Sequence, residues 1–495
     1  MTHCVRCGNI NNKMMNKLFA GIIILFLIGC KGPIVAQKTT QPNIIFIMAD
    51  DLGSAELGCY GNTFNETPNL DKLAGEGAKF TQAYTAAPIC SPSRAAIMTG
   101  QYPARIRITD FLPDNSDRYL DPAKYVTLNE ALSAGGYHTG IIGKWHLDTR
   151  FKNPKGNPKQ HGFDEVIGSE TKYIADGDYF YPYDKTETLN AAGQDDEYLT
   201  DRQCLEASKF IERNKSKPFF LYLTFYSVHT RLDAPKSIVD KYKSKFDREY
   251  GAGKADELFE KNDRHEGRHL DNPYLAAMIE RIDLGVGAIM ETLKKQGLDK
   301  NTIVVFFSDN GGVGNLGNNG ILRAGKSWLY EGGIRENLIV RWPATIKAGS
   351  VFDTPVYGTD FYPTFLDMAR ATSKADKIID GKSFLPVLYG DGKGLNENRP
   401  FYWHYISETG KWVPRMCSAV RSGDYKLLHF YADDRIELYN LRTDPSEKNN
   451  IAASEPSKAK ELKAMLDQWR KDVNAEAPDL SAAQNPKAKR KKLID

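Results

Sequence analysis

The stretch Cys90-Ser91-Pro92-Ser93-Arg94, running on through Met98-Thr99-Gly100, sets a sulfur atom and a fixed cation four residues apart. A strand-like run, Phe80 to Tyr84, precedes it. The pattern then predicts a helix opening at the cysteine, with Cys90 at the cap and Pro92 in the first turn, where a missing N–H costs nothing. On a helix, positions i and i+4 share a face and the first-turn N–H groups point outward together. Cys90 and Arg94 would therefore form an anion trap with sulfur at its mouth. Taken alone, a buried free cysteine that starts a helix explains Cys-x-x-x-Arg better.

Other reactive side chains sit at the ends of apolar runs. Asn43 to Met48 is continuously apolar and ends in Asp50-Asp51, which suggests a strand buried on both faces with two carboxylates at its carboxyl end. In isolation, an Asx turn closing the strand accounts for Asp-Asp. Thr302 to Ser308 repeats the pattern and delivers Asp309 and Asn310. Tyr137 to Ile142 precedes Lys144 and His146, and Phe219 to Phe225 precedes His229. Lys144 and His146 are two apart, so an extended segment would face both the same way. Asp50, Asp51, Asp309 and Asn310 are hard oxygen ligands suited to Ca²⁺ or Mg²⁺ rather than zinc.

The elements that must position these groups alternate. Helices are expected over Thr127–Ala134 and Asp201–Asn214, and Tyr274, Met278, Ile282, Val286, Ile289 and Leu293 recur at helical spacing. Lys236 to Leu270 is highly charged and reads as helix plus an exposed insertion. With a further strand from Leu338 to Arg341, the order implies an α/β fold whose large domain has a mainly parallel sheet flanked by helices. Ligands of such sheets bind at the strands' carboxyl ends. Beyond the linker-like Gly390–Gly394, short strands at Phe401–Tyr405, Cys417–Arg421, Tyr425–Phe430 and Ile436–Asn440 precede an amphipathic helix carrying Leu462, Leu466 and Trp469. A small antiparallel sheet covered by one helix fits. The expected division is 1–40 leader, 41–390 catalytic domain, 391–480 small domain and 481–495 basic tail.

Cys-x-Pro-Ser-Arg followed by Met-Thr-Gly resembles the signature of the type I, formylglycine-dependent sulfatases, of the alkaline phosphatase-like superfamily. The resemblance spans roughly residues 42 to 475 and is nearest to exported bacterial carbohydrate sulfatases of the arylsulfatase A-like kind. It implies that a maturase oxidises Cys90 to formylglycine, whose hydrated aldehyde attacks sulfur. It implies one Ca²⁺ on Asp50, Asp51, Asp309, Asn310 and residue 90. Arg94 would hold formylglycine and the carboxylates, Lys144 and Lys326 would bind sulfate oxygens, His146 would contact formylglycine, and His229 would protonate the leaving oxygen. Glu331 and Arg335 read as structural ion-pair partners. The segments Tyr226–Thr230, Trp403-His404-Tyr405 and Ala419–Lys426 resemble the branch acting on 4-sulfated galactose or N-acetylgalactosamine, with exo action and His404 contacting the sugar. Ile406-Ser407 departs from that branch, where Pro-His is expected.

Composition narrows the partners. Charged residues make up 26% and the net charge is only +3, too small to suggest nucleic acid. Lys13 and Lys17 precede an apolar run, Leu18 to Ile28, of signal-peptide length and too short to span a bilayer. Leu27-Ile28-Gly29-Cys30 reads as a lipobox, implying a membrane tether through lipidated Cys30 in the periplasm or at the cell surface; cleavage after Ala36 would instead release the protein. Cys4 and Cys7 lie upstream of that signal and receive no function. Four cysteines remain beyond it, and a disulfide scaffold is not implied. Two rivals stand: a phosphonate monoester hydrolase or phosphodiesterase of the same superfamily, and a non-catalytic glycan-binding lipoprotein.

Overall fold

The computed structural model describes residues 41–480 except 114–115, 150–153, 172–178, 192, 262–263, 268, 374–376, 391–394, 397 and 408–411. The expectations for the signal segment, Cys30, the linker around 391–394 and the basic tail fall outside the described residues.

The apolar runs build one mixed sheet: β1 (Asn43–Ala49), β2 (Ala78–Tyr84), β3 (His138–Gly143), β4 (Glu165–Ile167), β5 (Phe219–Thr224), β6 (Thr302–Ser308), β7 (Arg335–Arg341), β8 (Ser350–Phe352) and β9 (Val356–Tyr357). Its order is β4-β3-β5-β1-β6-β7-β2-β8, with β9 also on β2. The block from β4 to β6 is parallel, whereas β7 runs antiparallel to β6 and β2. All seven residues of β1 are buried, and its continuous apolarity has a simple cause. Side chains alternate across a strand, and both faces are covered. Ile45 and Ile47 pack with helices α3 (Leu199–Asn214) and α4 (Pro273–Lys295). Ile44, Phe46 and Met48 pack with α1 (Cys90–Thr99), α2 (Leu128–Ala134) and α5 (Phe361–Ala369).

Two local expectations shift. Helix α1 takes Ile89, not Cys90, as its cap, in extended backbone, so Cys90 is the first helical residue. The charged region after Lys236 contains helices (Lys236–Tyr250 and Lys254–Phe259) and exposed stretches, as expected, but it also contributes to the core. Val239, Tyr242, Phe246 and Phe259 sit at helical spacing and are buried in the core, while the charges face outward.

The second sheet is antiparallel, β10 (Phe401–Tyr405), β11 (Cys417–Ser422), β12 (Tyr425–Phe430) and β13 (Ile436–Asn440) in that order. Val420, Leu427 and Leu438 pack under Leu462, Leu466 and Trp469 of α6 (Pro456–Asp472). The opposite face, with Trp403, Ala419 and Leu428, packs on Tyr84, Tyr330, Ile334 and Tyr357 from the large sheet's side.

A buried charge cluster fastens that second face. Lys426 lies 2.9 Å from Glu331 and 3.0 Å from Glu447, all three fully buried. Arg335 is 3.7 Å from Glu331, the pairing expected from sequence. Two carboxylates on one ammonium cannot both ionise cheaply. Burial, opposed by Lys426 and reinforced by Glu331, raises Glu447 to about 7, whereas Lys426 and Arg335 overcome burial to hold Glu331 low. Lys426→Met should cost about 3–5 kcal/mol in denaturant unfolding, because it strands buried carboxylate charge. The folded protein keeps a proton on Glu447 that the unfolded chain, with a carboxylate near 4.5, releases. This contribution is therefore complete below pH 4.5 and lost as pH rises through about 7. Glu447→Gln should flatten that part of the stability–pH curve.

Candidate active site

The site forms where β1 and β6 end side by side, with Ala49 in register with Ser308. Asp50 and Asp51 follow one strand; Asp309 and Asn310 follow the other. Asp51 turns the chain with φ +62°, and its N–H donates to Asp309 Oδ1 at 3.2 Å. Three carboxylates thus meet in a buried space, and three cations answer them.

Arg94 comes from α1. Its Nε donates to Asp309 Oδ2 at 2.8 Å, Nη2 pairs with the same oxygen at 2.7 Å, and Nη1 donates to the Lys144 carbonyl at 2.9 Å. Lys144 follows β3, and its ammonium donates to Asp50 Oδ2 at 2.6 Å. Gly143 makes that delivery possible, with φ +102° and space for no side chain, since a Cβ would lie 1.9 Å from the Thr224 carbonyl. Lys326 arrives on the loop after β6 and donates to Asp51 Oδ2 at 2.7 Å. Cys90 Sγ lies 3.6 Å from Asp50 Oδ1.

Burial dominates the electrostatics. It raises Asp50 to about 7, against Lys144 and with help from Asp309 and Asp51. Burial works the same way on Asp51, but Lys326, His229 and Lys144 prevail and hold it well below the carboxylate range. Burial pushes the Cys90 thiol up to about 12. The donor set suits a hard divalent cation. Single ligand atoms of Asp50, Cys90 and Asp309 lie within 4.8 Å of one another. Asn310 gives its Nδ2 to Asp51 at 2.8 Å, while its Oδ1 is buried without a hydrogen-bond partner. An orphaned oxygen among carboxylates is the feature a cation would satisfy.

The histidines divide. His229 places Nε2 3.8 Å from Asp51 Oδ2 and Nδ1 2.5 Å from the Thr230 carbonyl. Burial, with Lys326 beside it, pushes its imidazole down to about 3. His146 is not in extended backbone but in the left-handed region, with φ +60°. Its Nε2 lies 3.2 Å from the Leu112 carbonyl, and the Leu112 N–H donates to Ser91 Oγ, next to Cys90. His404 does not serve as expected. It is buried under α6, with Nδ1 2.7 Å from Ser418 Oγ and Nε2 3.0 Å from the Glu476 carbonyl. Both nitrogens are engaged, so neither is left for a sugar hydroxyl; alternation places His404 on the strand face opposite Trp403.

Sequence reasoning missed the residues that hold the charged groups. Thr224 Oγ1 accepts from Arg94 at 2.5 Å, Thr85 Oγ1 donates to the Asp309 carbonyl at 2.8 Å, and Ser308 Oγ accepts from Leu52 N–H at 3.1 Å. For Thr224 and Ser308 the available signal was a hydroxyl at the end of an otherwise apolar strand; Thr85 had none.

Residues 42–371 match the family model described as Sulfatase, and residues 322–474 match the one described as N-sulphoglucosamine sulphohydrolase, C-terminal. The second model begins inside the first, just before the segment that carries Lys326. The mouse steryl-sulfatase is 30% identical, over 86% of this chain and 81% of its own. An N-acetylglucosamine-6-O-sulfatase of Bacteroides thetaiotaomicron is 29% identical, over 93% of this chain and 92% of its own. Among solved structures, Ps i-CgsB in complex with k-i-k-neocarrahexaose is similar with a TM-score of 0.74 and 29% identity, covering 92% of this chain and 98% of that one.

Arg94 is the structural keystone of this charge arrangement. Arg94→Gln should destabilise the protein by about 3–5 kcal/mol in denaturant unfolding, since Asp309 loses its buried counter-ion. Arg94→Lys should recover only part of this, because an ammonium cannot reproduce the planar fork.

Proposed function

The chain belongs to the sulfatase family, and from that premise we propose that it hydrolyses sulfate esters of a sulfated glycan outside the cytoplasm. The observation that carries this reading is the pair of ammonium groups, buried Lys144 and part-buried Lys326, resting on Asp50 and Asp51 beside residue 90. Asp50, Asp51, Asp309 and Asn310, with residue 90, would hold one Ca²⁺. When bound, that ion supplies a Lewis acid beside the sulfate oxygens. Formylglycine made from Cys90 by a maturase supplies an oxygen nucleophile where the buried thiol stands.

The chain's own residues have the following parts. Lys144 and Lys326 exchange their carboxylate partners for sulfate oxygens, and as fixed cations they stabilise the charge that develops there. Arg94 keeps Asp309 oriented. His229, oriented by the Thr230 carbonyl, is the group placed to carry a proton to the leaving sugar oxygen, once bound sulfate offsets the Lys326 charge that, on top of burial, keeps the imidazole neutral in the free protein. His146, held through Leu112 near Ser91, assists sulfate release from residue 90.

For the position of the ester we propose 4-O-sulfate on a terminal galactose or N-acetylgalactosamine, removed in exo fashion. The segment Tyr226–Thr230 supports this; His404 no longer does. The Bacteroides relative named for 6-O-sulfated N-acetylglucosamine makes the 6-position the competing outcome. The first forty residues support export to the periplasm or cell surface, with Cys30 as a lipid tether.

A panel of monosulfated monosaccharides and disaccharides, followed by mass or mobility, tests the substrate. Release from 4-O-sulfated galactose sugars is expected, and preference for 6-O-sulfated glucosamine would replace that assignment. Hydrolysis of a phosphate diester to its monoester and alcohol, with no sulfate released from any sugar, would overturn the sulfatase reading itself. Asn310→Ala should lower both Ca²⁺ affinity, read as a smaller Ca²⁺-induced rise in melting temperature, and turnover. Activity undiminished after exhaustive chelation would contradict the metal assignment.

A further inference from the structure

Beyond the reacting centre, Arg415 has no carboxylate partner among the described residues. Arg415, in the connection between β10 and β11, is half-buried and lies against two indoles, its guanidinium carbon 5.0 Å from the Trp328 ring centre and 4.1 Å from that of Trp412. The stack continues through Tyr330, 5.7 Å from Trp328, to Arg323, 3.8 Å over Tyr330. Arg323 donates to the Tyr439 hydroxyl and lies 3.7 Å from Glu437, so that end of the ladder is neutralised. Arg415 is not. Among the described residues its polar contact is one N–H donated to Ser327 Oγ, and no carboxylate acts on it. Burial lowers its pKa, and only Tyr405 opposes this. The Tyr405 hydroxyl is itself fully buried without a partner.

The location gives this cation a use. Ser327 directly follows Lys326, and its N–H donates to the carbonyl of Pro88 at 2.7 Å, two residues before Cys90. Arg415 is thus tied to the segment that carries a sulfate-binding ammonium and to the one that leads into the nucleophile. Two indoles lie within 5.0 Å of the guanidinium carbon, so its faces are taken up by aromatic contact and its edge is the part suited to an anion. That edge presents paired N–H donors matched to a planar or tetrahedral oxyanion. Leaving a half-buried cation unpaired is costly, and an anionic ligand removes the cost.

We propose that Arg415, framed by Trp328 and Trp412, is a subsite for a second anionic group of the saccharide, a neighbouring sulfate or a uronate carboxylate, beside the ester being cut. The substrate class is therefore a polyanionic glycan. This rests on the sulfatase reading above.

The test compares wild type, Arg415→Gln and Arg415→Lys on three sugars: one with a single ester sulfate, one with a second sulfate, and one with a uronate in its place. In wild type, kcat/KM should favour at least one doubly charged sugar. Arg415→Gln should cut that preference ratio tenfold or more, in line with the loss of one partner of a desolvated charge pair. Arg415→Lys should restore it in part. Loss confined to one of the doubly charged sugars identifies which anion binds. An unchanged ratio overturns the proposal, even if all three rates fall together, because a uniform fall reports only the support of Ser327 and Lys326. If no sugar is hydrolysed, calorimetric titration of the same sugars separates the two readings. Tenfold weaker binding of a doubly charged sugar to Arg415→Gln upholds the subsite; equal or absent binding overturns it.

Discussion

Like charges forced together at the ends of two neighbouring strands govern this molecule. The register that pairs Ala49 with Ser308 brings Asp50, Asp51 and Asp309 into one buried space. At low effective dielectric, mutual repulsion of three carboxylates would exceed the margin by which a domain is stable. The fold answers with cations from three separate elements: Arg94 from α1, Lys144 after β3 and Lys326 on the loop after β6. Each reaches the cluster only because the sheet order places β3, β5, β1 and β6 in sequence across the layer.

The second sheet participates in the same constraint. Arg323 donates to the Glu447 carbonyl at 2.8 Å, and the Glu447 carboxylate accepts from the Glu331 N–H at 2.6 Å. Gly332 N–H closes back on the Arg323 carbonyl at 2.9 Å. Both ends of the segment from Arg323 to Glu331 are therefore pinned by one residue of the C-terminal layer, with Lys326 in the middle. The cluster of Lys426, Glu331 and Glu447 is a poor source of net stability, but it fixes which faces meet. Packing and electrostatics converge on one loop, and Arg415 reaches the same loop from the other side.

Legibility from sequence followed chemistry closely and geometry less so. Continuous apolar runs with polar termini revealed the central strands and the residues at their ends, since burial on both faces leaves no alternation to obscure them. Asp50, Asp51, Asp309 and Lys144 were legible because each follows an apolar strand, Arg94 because it lies in a dense motif, and Lys326 only through the family resemblance. His404 misled because a histidine in a short antiparallel strand faces either layer, and only the pairing with Ser418 and Glu476 decides which. Arg415 left no trace: its stacking with Trp328 joins residues 87 apart in sequence, and nothing local distinguishes it from a surface arginine. The displaced helix cap at Ile89 is the ordinary one-residue uncertainty of a helix start without a capping side chain.

The central claim is that turnover depends on residue 90 after its thiol has been replaced by an aldehyde. Protein made with and without a co-expressed formylglycine-generating maturase yields preparations that differ in the extent of conversion. Mass spectrometry of the peptide containing residue 90, set against sulfate release by each preparation, measures the dependence directly. Sulfate release is expected to scale with the converted fraction and to vanish where residue 90 is wholly cysteine. Full release from protein carrying only the unmodified thiol would contradict the account.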